Sequence, residues 1–156
     1  MLNQDKAGLY IAMISVHGLI RGHELELGKD ADTGGQTKYV VELALALARL
    51  PGVASVDLFT RLVSAHEVDA DYSEEIKDLG DGVRIVRIVA GPAEEYLPKE
   101  ALWNHLDSFV DNMLAFLRDA DRAPVEEKSL AEITFLDPAC GSGHFLIEAF
   151  DLYYDM

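Results

Sequence analysis

The alternation of short apolar runs with longer segments of helical periodicity constrains the fold of this chain more than any other feature. Leu9–Val16 (LYIAMISV) is almost continuously apolar, the apolar residues of Thr37–Leu50 recur every three or four positions, and Val83–Ala90 is rich in β-branched residues. A strand that is apolar on both sides must be covered on both faces. Because strands that alternate with helices form parallel sheets through right-handed crossovers, the pattern predicts a three-layer α/β fold.

The same criteria predict seven elements. The strands, in chain order, are Leu9–Val16, Val56–Thr60, Val83–Ala90 and Ile133–Leu136, and the helices are Thr37–Leu50, Lys99–Ala120 and His144–Tyr154. The stretch Ser64–Gly82 is acidic, with at most a short helix around Ser73–Leu79, and its part Glu67–Asp81 is predicted to be a solvated face. Asp119–Ser129 is polar and aperiodic, so it is predicted to be a linker or a turn.

Composition and charge exclude several classes of protein. A chain of 156 residues with 49% hydrophobic residues can bury the core of one compact domain. Its 13 basic and 28 acidic residues give a net charge of −15, which disfavours nucleic-acid binding by this chain alone. No apolar stretch reaches the length of a membrane span, and the N-terminal sequence lacks the pattern of a signal peptide. The single cysteine, Cys140, excludes an internal disulfide and a thiolate metal cluster, so we expect a cytoplasmic protein.

Two glycine-containing loops have the form of ligand-binding loops. The first, Asp32–Gln36 (DTGGQ), precedes the Thr37 helix, where backbone N–H groups and the helix dipole favour an anion. From spacing alone, a plain helix N-cap by Asp32 or Thr33 is the favoured interpretation. The second, Asp137–Gly143 (DPACGSG), lies between a predicted strand and a helix, the context in which a nucleoside-bearing cofactor meets backbone amides. His17 ends the first strand and is expected to be a packed or capping residue.

Residues from about Tyr10 to Pro124 resemble the start of the glucosyltransferase domain of the sucrose-phosphate synthase and sucrose synthase family, which has a GT-B fold. The resemblance rests on the phrases ISVHGLIRG, LELGKDADTGGQTKYVVELALALA, VDLFTR and GPAEEYLPKEALWNHLDSFVDNML. In that family the Gly-Gly-Gln loop lies near the sugar phosphate and the UDP phosphates. The resemblance therefore implies ligand binding by Gly34, Gly35 and Gln36, and contact between Lys99 and the phosphate of the acceptor.

The same resemblance implies that this chain alone is not a working glucosyltransferase. The phrase H-A-H-Y-A-D, which carries a catalytic histidine in the family, has no counterpart after Pro124. The second Rossmann domain of the family, with its UDP-sugar site, also has no counterpart. We therefore expect no intact catalytic activity, and the alternative is a fragment that acts only with a second domain.

Residues from about Ser129 to Met156 resemble the first motif of the N6-adenine DNA methyltransferases. In that family the DPACGSG-type loop holds the methionine part of S-adenosylmethionine. The resemblance assigns this role to Asp137, Ala139, Cys140, Gly141, Ser142 and Gly143. The catalytic N/D-P-P-Y/F motif of the family has no counterpart, so weak binding of S-adenosylmethionine is the most that we expect, and no cofactor is required.

The two resemblances together predict a chimera within one Rossmann-like domain spanning residues 1–156. Residues 1–124 would be the glucosyltransferase-like part, and residues 125–156 a methyltransferase-like strand and helix in the slot beside the first strand. The predicted sheet is four-stranded and mostly parallel, in the order 3-2-1-4. Its edge at Ile133–Leu136 would be apolar and unpaired, which favours self-association.

Overall fold

The computed structural model describes residues 8–22, 35–119 and 121–123. All of them belong to the first of two compact units, Met1–Val125. The second unit, Glu126–Met156, lies outside the described residues, and with it the predicted strand Ile133–Leu136 and the predicted helix His144–Tyr154.

The described unit contains one four-stranded sheet in the order β1-β2-β4-β3. The strands are β1 (Leu9–Ile14), β2 (Val53–Arg61), β3 (Ile76–Gly80) and β4 (Val83–Ile88). The helices are α1 (Gly35–Ala48), α2 (Lys99–Leu102) and α3 (Leu106–Arg118), with short 3-10 turns at Ala70–Ser73 and Trp103–His105. Strands β1, β2 and β4 are parallel, and β3 is antiparallel to β4.

The predicted α/β class with a mostly parallel sheet is confirmed, and one strand differs. The three strands predicted in this part of the chain are β1, β2 and β4, and their relative order is the predicted one. The described sheet contains a strand that was not predicted, β3, which is antiparallel to β4, whereas the predicted fourth strand, Ile133–Leu136, lies outside the described residues. This strand occupies part of the segment for which a short helix, Ser73–Leu79, was predicted.

The unpredicted strand β3 is joined to β4 by a tight turn whose two residues are typical of such turns. Asp81 and Gly82 both have positive φ, at 53° and 82°, and they connect two strands that pair directly across them. Asp-Gly is a preferred pair for a two-residue turn of this kind, because its backbone twist matches the twist of the strands. The strand has only five residues, with Ile76 and Leu79 three positions apart, so without that turn no alternating pattern marks it as a strand.

The predicted helix Lys99–Ala120 is interrupted. Helix α2 ends at Leu102, a 3-10 turn spans Trp103–His105, and α3 begins at Leu106. The turn brings the ring of His105 against Gly91, so close that a Cβ atom on Gly91 would lie 2.7 Å from the ring. Apolar periodicity runs through the whole segment, so it does not reveal the turn.

Helices cover both faces of the sheet, as the apolar strands require. On one face Val41 and Ala44 of α1 pack over Leu58 and Val56 of β2. On the other face Phe109 and Phe116 of α3 pack over residues of β2 and β4, and Phe116 meets Phe59 edge-on with ring centroids 5.6 Å apart. The three layers are therefore helix, sheet and helix. Among the helices described, none is long and apolar enough to cross a membrane.

Candidate functional site

The carboxyl ends of the three parallel strands form one edge of the sheet. Ile14 of β1 pairs with Phe59 of β2, and Arg61 of β2 pairs with Ile88 of β4, so the strands finish at similar heights. The connections that follow them leave from this edge. In α/β proteins, ligands bind outside the carboxyl ends of the strands, because backbone groups and variable loops converge there.

Helix α1 begins at this edge. Its residue Ala44 contacts Val56, whereas Val41, one turn earlier, contacts Leu58, which lies closer to the carboxyl end of β2. The first turn of α1 therefore points to the carboxyl edge of the sheet. Gly35 and Gln36 are the first two residues of that turn, and Gln36 is exposed. Gly34, the other predicted residue of this loop, lies outside the described residues.

Lys99 also follows this edge of the sheet. It is the first residue of α2, eleven positions after β4 ends, and its side chain is exposed. Helices α1 and α3 cover opposite faces of the sheet. Gln36 and Lys99 each lie in the first turn of a helix whose preceding connection leaves the carboxyl edge of the sheet. The predicted set Asp137, Ala139, Cys140, Gly141, Ser142 and Gly143 lies outside the described residues and stays a prediction.

The loop between β4 and α2, residues 89–98, is fastened to the sheet by Arg61. The Nε atom of Arg61 donates to the carbonyl oxygen of Ala90 at 2.7 Å, and one terminal nitrogen donates to that of Glu95 at 3.0 Å. The other terminal nitrogen donates to the carbonyl oxygen of Pro92. Burial lowers the pKa of the Arg61 guanidinium from its ordinary value, yet an arginine side chain stays charged in proteins. One buried cation therefore organises three points of this loop.

A second buried arginine, Arg87, holds the loop that follows β1. Its two terminal nitrogens donate to the carbonyl oxygens of Glu74, at 2.8 Å, and Ile20, at 3.0 Å. Arg21, in the same loop, pairs with Asp69 at 3.2 Å and stacks over the ring of Tyr72. Sequence inspection found these arginines scattered singly and assigned them no role. Arg61 and Arg87 are both buried against backbone carbonyl oxygens, and this shared property is visible only in the folded chain.

Two buried hydroxyl groups lie at the carboxyl ends of β1 and β2. The Oγ atom of Ser15, just after β1, and the Oγ1 atom of Thr60 in β2 have no hydrogen-bond partner within the described part of the chain. Thr60 lies two residues after Leu58, so its side chain is on the face covered by α1. Neither residue was predicted as functional. His17, which was predicted to be a packed or capping residue, is half-buried in the loop that follows Ser15.

The described residues offer no metal site. Nowhere in residues 8–22, 35–119 and 121–123 do three His, Cys, Asp or Glu side chains converge as ligands would. The acidic segment after β2 serves the fold instead, since Asp69 caps a 3-10 turn and Tyr72 is buried against Leu19 and Val63. The prediction that this whole segment is a solvated face is therefore corrected at Tyr72.

Comparisons with known proteins identify relatives. The chain is 48% identical over 155 residues to "Probable sucrose-phosphate synthase 1" of Oryza sativa subsp. indica, a match that covers 92% of this chain and 14% of the rice protein. It is 50% identical over 137 residues to "Sucrose-phosphate synthase" of Zea mays, which covers 80% of this chain and 13% of the maize protein. The chain thus spans about a seventh of the length of these curated relatives. No family model matches it.

A solved structure agrees with the sequence comparison. The sucrose-phosphate synthase of Thermosynechococcus elongatus is 33% identical and superposes with a TM-score of 0.52, over 70% of this chain and 24% of the other. The rice match covers so much of the chain that it extends past Pro124, where the predicted resemblance ended. These findings confirm the predicted resemblance to the N-terminal GT-B half of a glucosyltransferase. The chain is therefore homologous, over most of its length, to a part of sucrose-phosphate synthase.

Proposed function

We propose that this chain is the acceptor-side half of a sucrose-phosphate synthase-type glucosyltransferase and binds a sugar phosphate of the fructose 6-phosphate class. The observation that carries the proposal is the placement of Gln36 and Lys99. Both are exposed, and each lies in the first turn of a helix whose preceding connection leaves the carboxyl edge of the same parallel sheet. The homology to sucrose-phosphate synthase supports the choice of ligand.

The chemistry of these residues suits a phosphorylated sugar. The first turn of α1, which has fourteen residues, presents backbone N–H groups that are not used within the helix, and the helix dipole favours an anion there. The carboxamide of Gln36 can donate to and accept from sugar hydroxyls. The ammonium group of Lys99 supplies a positive charge for the phosphate. A helix N-terminus, an amide and a cation together distinguish a sugar phosphate from a neutral sugar.

The chain alone is proposed to bind without catalysing transfer. Glucosyl transfer requires a donor held in line with the acceptor, and much of the rate of such a reaction comes from that positioning. The described unit provides one sheet edge and its loops, which is one side of a cleft. Activity would then require a second domain on the other side of the cleft.

The test is a titration of ¹⁵N-labelled protein with fructose 6-phosphate at low salt. We expect a dissociation constant on the order of millimolar, because a net charge of −15 opposes a dianionic ligand. The amide signals of Gln36 and Lys99 should shift, and K99A should remove the response. K77A is the matched control, since Lys77 lies on β3 and pairs with Glu74. Equal binding by K99A and the unchanged protein would contradict the proposal.

Two further measurements complete the test. Incubation with UDP-glucose and fructose 6-phosphate should give no sucrose phosphate above background, and turnover by the pure chain would refute the proposed lack of catalysis. A titration with S-adenosylmethionine examines the predicted loop Asp137–Gly143. Shifts confined to that loop would support the methyltransferase resemblance, and their absence at millimolar ligand would argue against it.

A further inference from the structure

We infer that Arg61 is a positioning residue for the phosphate site: it fixes the loop 89–98 and thereby sets the place from which Lys99 meets its ligand. The inference rests on the proposed function, because it concerns how the same site is held in shape. Arg61 is the last residue of β2, on the strand adjacent to β4, and Lys99 ends the loop that leaves β4.

The hydrogen bonds of Arg61 all go to the loop. Its three nitrogens donate to the carbonyl oxygens of Ala90, Pro92 and Glu95, which lie 29 to 34 residues away in sequence. No carboxylate of the described residues lies within ion-pair distance of it. A planar guanidinium can reach three carbonyls at fixed angles, whereas a lysine ammonium is a compact charge on a flexible stem. The arginine therefore imposes one shape on the loop.

Other contacts restrict the same loop and leave it little freedom. The backbone N–H of Ser64, in the connection after β2, donates to the carbonyl oxygen of Ala93 at 2.7 Å. Gly91 has a φ of 68° and lies against the ring of His105. Pro98 restricts the last step before Lys99, and its carbonyl oxygen accepts from the N–H of Ala101 at 2.9 Å. Within the described part of the chain, Arg61 is the side chain that donates hydrogen bonds to both the start and the middle of the loop.

The consequence for binding follows from geometry. Lys99 is exposed, and its long side chain loses conformational freedom when it holds a phosphate. If the backbone at Lys99 is fixed in advance, only the side chain must be ordered. If the loop becomes mobile, ordering of the loop opposes binding as well. Loss of the Arg61 contacts should therefore weaken phosphate binding although Arg61 itself does not touch the ligand.

The experiment compares R61K with R84K. Arg84 is an arginine with a bidentate partner, Asp57, but it lies at the amino end of β4, away from the loop. Fructose 6-phosphate and, separately, inorganic phosphate are titrated against each labelled protein. We expect R61K to bind both about tenfold more weakly, and R84K to bind as the unchanged protein does. In R61K the amide signals of residues 90–99 should also shift and exchange with solvent faster before any ligand is added.

The readouts separate positioning from stability and from the proposed function. Dissociation constants are taken from folded-state signals, so a variant that is only less stable loses intensity without a change in affinity. Unchanged affinity in R61K, while K99A abolishes binding, would overturn the role of Arg61 and leave the proposed function intact. Binding by the unchanged protein that does not depend on Lys99 would overturn the proposed function, and the positioning role with it.

Discussion

Buried polar side chains lie at both ends of the strands in this sheet. At the carboxyl edge, Arg61 and Arg87 satisfy loop carbonyls, whereas the hydroxyls of Ser15 and Thr60 have no hydrogen-bond partner in the described part of the chain. At the amino end, Asp57 is fully buried and accepts two hydrogen bonds from Arg84, at 2.8 and 2.5 Å, and one from Tyr10 at 3.0 Å. Substitution of an unpartnered hydroxyl at the carboxyl edge and substitution of a hydrogen-bonded group at the amino end should therefore affect stability differently.

Removal of the unused hydroxyl of Thr60 should stabilise the protein. A buried hydroxyl without a partner costs about 1–3 kcal/mol, so T60V should raise the free energy of unfolding by about 1 kcal/mol. Thr37, in α1, is equally buried but has an interaction partner, so T37V should lower it. Urea denaturation of both variants measures the difference. A loss of stability in T60V comparable to that in T37V would show that its hydroxyl is used.

Tyr10 should make the protein less stable at alkaline pH. Burial, and secondarily the charge of Asp57, raises the pKa of the Tyr10 hydroxyl well above its usual range. Below about pH 10, Tyr10 is protonated in both the folded and the unfolded state, and its contribution to the free energy of unfolding is fully present. Above that pH the unfolded chain gains stability by ionising, while the folded chain does not, so stability falls as pH rises.

Y10F should remove this part of the alkaline loss. The measurement is the free energy of unfolding at pH 8 and pH 11 for the unchanged protein, Y10F and Y39F. Tyr39 is half exposed on α1 and controls for the loss of a tyrosine hydroxyl as such. An alkaline loss in Y10F as large as in the unchanged protein would contradict the prediction.

At the scale of elements, the turn between β3 and β4 decides whether the fourth strand forms. Gly80 and Gly82 both have a φ of 82°, a backbone angle that residues with a side chain rarely adopt. A Cβ atom on Gly82 would lie 3.1 Å from the carbonyl oxygen of Ala54, whereas one on Gly80 would meet nothing within 4 Å. A substitution at Gly80 therefore tests backbone strain alone, whereas a substitution at Gly82 tests backbone strain together with steric contact.

Alanine substitutions should reveal both costs. G80A should destabilise the protein by about 1 kcal/mol through backbone strain alone. G82A should cost about 2 kcal/mol, because the neighbouring strand must also move. Thermal or urea denaturation checks the order of the two variants. Equal losses of stability in the two variants would mean that β2 can move at Ala54 without a cost in free energy.

On the larger scale of the described unit, the face of the sheet covered by α3 carries exposed apolar side chains on both β1 and α3. Ile14 is 41% exposed and pairs in register with Phe59, so its side chain lies on the α3 face of the sheet. On the same face, Val110 and Leu114 of α3 are 44% and 38% exposed and are separated by one helical turn. Adjacent exposed apolar side chains of this kind favour association of proteins.

We expect self-association through this surface in spite of the net charge of −15. Light scattering should give a mass that increases with protein concentration, and V110K should bring it back to that of a monomer. Y39K is the control, because Tyr39 is also an exposed large side chain but lies on the opposite helix layer. A concentration-independent monomer mass for the unchanged protein would contradict the expectation.

The class of the fold, three of its strands and the resemblance to a known family could be predicted from local sequence patterns. Each of these depends on local information: apolar runs of strand length, a helical repeat in α1, and contiguous phrases such as DTGGQ. The positions of Gln36 and Lys99 at one edge could also be predicted, because parallel strands leave their connections at the same edge. The Asp-Gly turn that gives β3 was present in the sequence and was not recognised.

The tertiary structure alone decided the roles of the buried arginines and the interruption of the long helix. Arg61 and Arg87 have carbonyl partners 13 to 67 residues away, and no periodicity or motif connects positions so far apart. At the turn Trp103–His105 the ring of His105 likewise lies against Gly91, a residue of a different loop. Such partners are set by which strands become neighbours and where the loops meet, so the support of the candidate site emerges only when the chain is folded.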